Sequence, residues 1–194
     1  MELKIGVSTC LLGENVRYDG GHQHDRWITG VLGRFATFIP VCPEVEAGLS
    51  IPREAMRLVG DPAWPRLVGV QTRRDYTQLM QDFCARRVPQ LEKEKLCGFI
   101  FKSKSPSSGM ERVKVYGESG MPSQTGVGLF AREFMKHFPL LPCEEDGRLN
   151  DANLRENFLE RVFTMNRWRA MLDEGADMRR LIDFHTRHKL LLLG

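Results

Sequence analysis

The stretch that decides the fold is Leu3-Lys4-Ile5-Gly6-Val7-Ser8-Thr9-Cys10-Leu11-Leu12-Gly13. Leu3 to Thr9 is short, apolar and β-branched enough for a buried strand, and Gly13 with the polar run Glu14 to Gly21 ends it. A cysteine follows that strand directly. The pattern returns at Thr37 to Val41, a second strand that leads into Cys42-Pro43-Glu44. It returns again at Gly98 to Phe101, which opens into Lys102-Ser103-Lys104-Ser105-Pro106-Ser107-Ser108-Gly109. Three strand ends therefore feed three irregular loops, two carrying a cysteine at the switch and the third carrying serines.

Helical spacing fills the intervals. Trp27, Ile28, Val31, Leu32 and Phe35 predict a helix from Gln23 to about Arg34. Thr72 is a suitable N-cap for a helix through Asp75 to Lys95, with Tyr76, Leu79, Met80, Phe83 and Cys84 inward and Pro89 as a kink. Leu129, Phe130, Phe134 and Met135 predict another over Val127 to Phe138. Short strands are expected at Leu67 to Val70, Val113 to Tyr116 and Leu140 to Pro142, with loops at 46–53 and Gly117 to Thr125 and mixed structure over 53–65. The alternation predicts an α/β, Rossmann-like three-layer domain with a mostly parallel sheet over residues 1–147. In such sheets a ligand sits beyond the carboxyl ends of the strands, where all three loops fall. Residues 148–194 read as an all-helical tail: one helix capped by Asn150 or Asp151 runs to about Leu172, and another starts at Gly175-Ala176-Asp177 and ends at Leu193. Its arginines are nearly balanced by acids, which suits amphipathic helices with solvated charged faces.

Composition sets the class. In 194 residues, 42% are hydrophobic and 27% charged, values that exclude collagen-like, coiled-coil and disordered chains. The 28 basic residues are nearly cancelled by 25 acidic ones, so the net charge of +3 permits a polyanionic partner without demanding one. No apolar run approaches the roughly 18 to 20 residues of a membrane span, and the start of the chain lacks a secretory pattern. Five cysteines, an odd number, argue for thiols, thiolate ligands or a nucleophile rather than a disulfide framework. The expectation is a cytoplasmic protein with no obligatory protein partner.

Cys10 and Cys42 leave two readings open: buried structural thiols, or ligands of a metal or iron–sulfur site built at neighbouring strand ends. No C-x-x-C pair is present to indicate a zinc ribbon. Glu44 is either an ordinary loop carboxylate or a general acid/base beside a thiolate. Lys102, Lys104, Arg112 and Lys114 flank the serine loop, which is either an anion-binding loop or a solvated basic hairpin; it lacks the P-loop spacing. Arg17, Tyr18 and Asp19 offer a cation, a ring and a carboxylate suited to a planar heterocycle, although turn chemistry also explains Asp19-Gly20. Cys84, Cys97 and Cys143 read as structural, and His185 and His188 as a surface helix edge.

The combination of S-T-C-L-L-G with R-Y-D-G, then P-V-C-P-E with G-L-S-I-P-R, then F-K-S-K-S-P-S-S-G-M-E-R-V-K-V-Y resembles the thiouracil desulfidase (TudS) family over roughly residues 1–145. The tail, with Phe184-His185-Thr186-Arg187-His188-Lys189, resembles the start of the helical domain fused to such domains in the RudS group, linked with 4-thiouridine in tRNA. The resemblance implies an enzyme that replaces C=S of a thiolated pyrimidine by hydrolysis and releases sulfide. It further implies a 4Fe-4S cluster on three protein ligands, with Cys10 and Cys42 as the first two and position 108 as the third. The family has cysteine there, in S-P-S-C-G; this chain has Ser108, a harder and poorer donor for iron. Glu44 is implied as the acid/base and Ser105 as a hydroxyl near the substrate, both catalytic; Ser8, Arg17, Tyr18, Asp19, Lys102, Lys104 and Ser107 are the expected substrate contacts. The favoured substrate is 4-thiouridine in tRNA; the rivals are free 2-thiouracil, or a nucleic-acid-binding module that has lost its cluster.

Overall fold

The strands, in chain order, are Lys4–Ser8 (β1), Thr37–Val41 (β2), Met56–Val59 (β3), Arg66–Gly69 (β4), Gly98–Phe101 (β5), Val113–Tyr116 (β6), Pro122–Gly126 (β7) and Cys143–Glu145 (β8). The helices are Arg26–Gly30 (α1), Pro43–Glu46 (α2), Thr77–Gln90 (α3), Leu129–His137 (α4), Ala152–Asp173 (α5), Met178–Arg187 (α6) and Lys189–Leu193 (α7). These come from a computed structural model that describes residues 2–117 and 120–193.

β1 lies inside a four-stranded sheet of order β2-β1-β5-β8, parallel throughout. Its register aligns Ser8 with Val41 and Val7 with Ile100, so the three loops of interest leave adjacent strand ends on one edge. The alternation of β5 divides the core in two. Phe99 and Phe101, both fully buried, join Met80, Phe83 and Cys84 of α3 and Phe130 and Phe134 of α4 on one face. Ile100 joins Ile5, Val7, Ile28 of α1 and Phe158 and Val162 of α5 on the other. Helix, sheet and helix are the expected three α/β layers. At 2% and 0% exposure, Phe158 and Val162 bind α5 to the sheet, so α5 is amphipathic with its apolar side in the core.

Several elements differ from their sequence expectations. A second sheet, β4-β3-β6-β7, joins one parallel pair to two antiparallel ones. It draws β3 from the stretch expected to be mixed and β7 from the expected loop Gly117 to Thr125, of which Glu118 and Ser119 lie outside the described residues. β3 is only four residues long, Arg57 among them, and β7 is polar and mostly exposed, so neither shows a long apolar run. The last strand is Cys143–Glu145 rather than Leu140 to Pro142; its two acids, which obscure it in the sequence, are buried and bonded. The helix after β4 starts at Thr77, not Thr72, because Glu54 captures the amide and hydroxyl of Thr72 in a tight turn. Leu79 sits at the rim of that helix, 37% exposed, while Val88 takes the inward place. The first helix is only five residues, capped by Asp25 onto the amides of Trp27 and Ile28. Asp151 caps α5 and Asp177 caps α6 as expected, but the last helix breaks at His188.

Candidate active site

The carboxyl edge of the parallel sheet opens into a cleft of about 570 Å³. Ser8 and Cys10 come from the end of β1, Arg17 and Tyr18 from the loop beyond it, Cys42 and Glu44 from the end of β2, and Lys102, Lys104, Ser105 and Ser108 from the loop after β5. Ten residues singled out in the sequence thus line one cavity. Ser107 and Asp19 do not line it: Ser107 is fully buried behind the wall, and Asp19 turns outward to hold Arg17 at 3.3 Å.

Cys10 stands in a single 3-10 turn, Thr9–Leu12, closed by Gly13 at φ 93°, a left-handed conformation in which glycine carries no side-chain clash. Cys42 immediately precedes α2, with Pro43 at its first position and Glu44 in its first turn. Burial pushes the Cys10 thiol up to about 11, against the opposing pull of Lys102. It pushes Cys42 up to about 12, with the Glu44 charge adding to the rise. Without a metal both are therefore neutral thiols at pH 7.

Glu44 is held from three sides. Ser107 Oγ donates to its Oε1 at 2.6 Å, Cys42 Sγ donates to its Oε2 at 3.6 Å, and Arg53 Nη2 lies 4.0 Å from Oε2. Ser107 has one hydroxyl proton, and it is committed to Glu44. The 3.0 Å contact between Ser105 Oγ and Ser107 Oγ must then be donated by Ser105. This fixes a relay from Ser105 through Ser107 to Glu44. Ser105 Oγ also accepts from the amides of Ser107 and Ser108, at 3.3 and 3.1 Å, and so curls the loop onto itself.

The serine loop is anchored from outside by groups the sequence did not mark. The first amides of α4, which have no partner inside their own helix, donate to it: Phe130 and Ala131 to the Ser107 carbonyl at 2.9 and 3.1 Å, and Gly128 to that of Gly109 at 2.8 Å. Glu145 accepts from the Met110 amide at 2.7 Å. Asp146 receives Lys102 Nζ at 2.6 Å and the Ser103 amide at 2.7 Å. Burial raises the carboxyl pKa of Glu145, partly offset by the Met110 and Glu111 amides. Glu145, and Asp146 just beyond it, are obscured in the sequence because the last strand is expected earlier in the chain. Arg53 had one signal, its place at the end of G-L-S-I-P-R.

Among the described residues, no three His, Cys, Asp or Glu side chains gather as a metal-holding group. Toward a cluster the donor set is two soft sulfurs, Cys10 and Cys42, and the hard hydroxyl of Ser108, 3% exposed in the same cleft. The set fits at two points and is weak at the third.

Fold and site together define an α/β protein with a thiol-bearing cleft at the carboxyl edge of a parallel sheet. Residues 5–146 match the family described as 2-thiouracil desulfurase, and the chain belongs to that family. The solved structure titled [4Fe-4S]-dependent thiouracil desulfidase TudS superposes with a TM-score of 0.60 at 27% identity, over 77% of this chain and 94% of that one. The uncharacterized protein YbbK of Bacillus subtilis (strain 168) is 29% identical over 110 residues, 54% of this chain and 72% of that protein. No helix among the described residues is long and apolar enough to cross a membrane.

Proposed function

We propose that this chain removes sulfur from a free thiolated pyrimidine base of the thiouracil type, exchanging C=S and water for C=O and hydrogen sulfide. The observation that carries the reading is the single cleft holding Cys10, Cys42 and Ser108 beside the Ser105–Ser107–Glu44 relay. Cys10 and Cys42 would hold a 4Fe-4S cluster, with Ser108 at the third position. When bound, such a cluster supplies a Lewis-acidic iron for a thiocarbonyl sulfur. The chain's own groups do the rest. Tyr18, half-exposed on the cleft wall with the Arg17 guanidinium 5.5 Å from its ring centre, offers a flat face for the base. Glu44 accepts a proton from the incoming water, and Ser105 lies at the cleft end of its relay.

The finer reading, 4-thiouridine within tRNA, has less support. Lys102 is committed to Asp146, and Arg112 lies 3.8 Å from Glu111, which reduces the basic patch available to phosphates. The cleft volume is that of a small-molecule site.

The test is anaerobic reconstitution of the chain and of its Ser108→Cys variant, with iron and sulfide assayed per chain and sulfide release followed on 2-thiouracil and on 4-thiouridine tRNA. The expected result is more retained iron in Ser108→Cys and release from the free base. A variant that takes up no iron, or releases no sulfide from either substrate, overturns the proposal. Release from tRNA alone replaces the free base by the nucleic acid.

A further inference from the structure

Arg53 is a charged residue lining the cleft that the chemistry above uses only as a neighbour of Glu44. Its side chain is 9% exposed, a costly placement for a guanidinium unless its position is used. It does not face the solvent as a recruiting cation. Its Nη1 donates to the Val16 carbonyl at 3.1 Å and the Ser50 carbonyl at 3.3 Å, and its backbone amide donates to the Tyr18 carbonyl at 2.9 Å. Its Nη2 lies 4.0 Å from Glu44 Oε2. Arg53 therefore touches both sides of the cleft: the loop that presents Arg17 and Tyr18, and the carboxylate at the start of α2. Val16 is a shared point, since Cys42 Sγ also lies 4.0 Å from its carbonyl. The buried Nε has no partner.

The geometry points to Arg53 as a positioning residue that fixes Glu44 and the Tyr18 loop relative to one another, so that the base and the proton-carrying carboxylate meet in register. Arg53 acts through Glu44 and the Tyr18 loop rather than as a proton carrier itself. Its planar fork reaches a carbonyl and a carboxylate at once; a lysine in its place supplies charge to Glu44 without holding both carbonyls. The kinetic part of this inference rests on the desulfidase reading, and the structural part does not.

The test compares the Ser108→Cys chain with the same chain carrying Arg53→Met or Arg53→Lys. Amide hydrogen exchange is measured on metal-free protein, and 2-thiouracil turnover and iron content on reconstituted protein. In Arg53→Met, exchange over residues 14–21 rises by about fivefold or more while α3 and α4 are unchanged. Iron content holds, kcat falls by about 100-fold, and KM moves far less. Arg53→Lys recovers kcat to within about tenfold of the parent while the loop still exchanges faster, because only the charge at Glu44 is restored. The inference is overturned if residues 14–21 exchange as in the parent, if α3 and α4 loosen with them, or if an active parent keeps its kcat within about twofold in Arg53→Met. If the parent releases no sulfide, the desulfidase reading fails and exchange alone decides: a rise confined to 14–21 sustains the clamp, and none refutes it.

Discussion

Gly128 is where the fold and the site press most closely together. It precedes α4 at φ −60° and ψ 144°, a backbone that alanine adopts freely, so Gly128→Ala carries no conformational penalty. The penalty is contact. A Cβ there meets the Ser107 carbonyl oxygen and lies 2.5 Å from the Ser107 carbonyl carbon and 2.8 Å from the Ser108 nitrogen. Ordinary contact begins near about 3.5 Å, so the loop backbone must retreat by roughly 0.7 to 1 Å. That retreat stretches the bonds from Phe130 and Ala131 to Ser107 and draws the Ser107 hydroxyl away from Glu44. Overpacking of this kind costs about 1 to 3 kcal/mol. At about 2 to 4 °C per kcal/mol for a chain of this size, Tm drops by about 2 to 12 °C. Misplacement of a catalytic constellation by about 1 Å costs about 100-fold in rate. The assays are thermal unfolding by circular dichroism and sulfide release by the reconstituted Ser108→Cys background. Gly30→Ala is the control, since nothing lies within 4 Å of a Cβ at Gly30; it should gain up to about 1 kcal/mol. A Gly128→Ala protein with Tm within about 1 °C of the parent and unchanged turnover would refute the claim that α4 buttresses the serine loop.

Two further outcomes follow from the packing. Phe158→Ala, in α5 against Gly98 and the sheet, should lose about 3 to 5 kcal/mol in urea unfolding, and an unchanged midpoint would mean that α5 contributes nothing to the stability of the sheet. Glu145→Gln should stabilise the protein at pH 7 relative to pH 4. Burial raises the folded pKa of Glu145 above its usual value of 4.5, so the folded state binds the proton more tightly and stability falls as pH rises through that window. Glutamine keeps an acceptor for the Met110 amide and removes the charge, so a variant-minus-parent Tm difference that does not grow with pH contradicts the assignment.

The local sequence by itself determined the parallel core. Leu3 to Thr9 and Gly98 to Phe101 are legible because a strand buried on both faces is apolar along its length, while Thr37 to Val41, the half-exposed edge strand, is legible from its apolar run and the Cys42-Pro43 stop. The cysteines after the first two, and the order of the three motifs, located the cleft and the family. Tertiary structure decided what short-range pattern cannot encode. The second sheet is half-exposed and mixes polar residues with apolar ones. The strand Cys143–Glu145 carries carboxylates that become acceptable in the core because Met110 and Lys102 arrive from elsewhere to bond Glu145 and its neighbour Asp146, while Arg148, four residues on, pairs with Glu144. The same reason separates Ser105 from Ser107 and gives Arg53 its place. Each is one polar residue in a loop, and its role depends on which distant donor or acceptor the folded chain brings within about 3 Å.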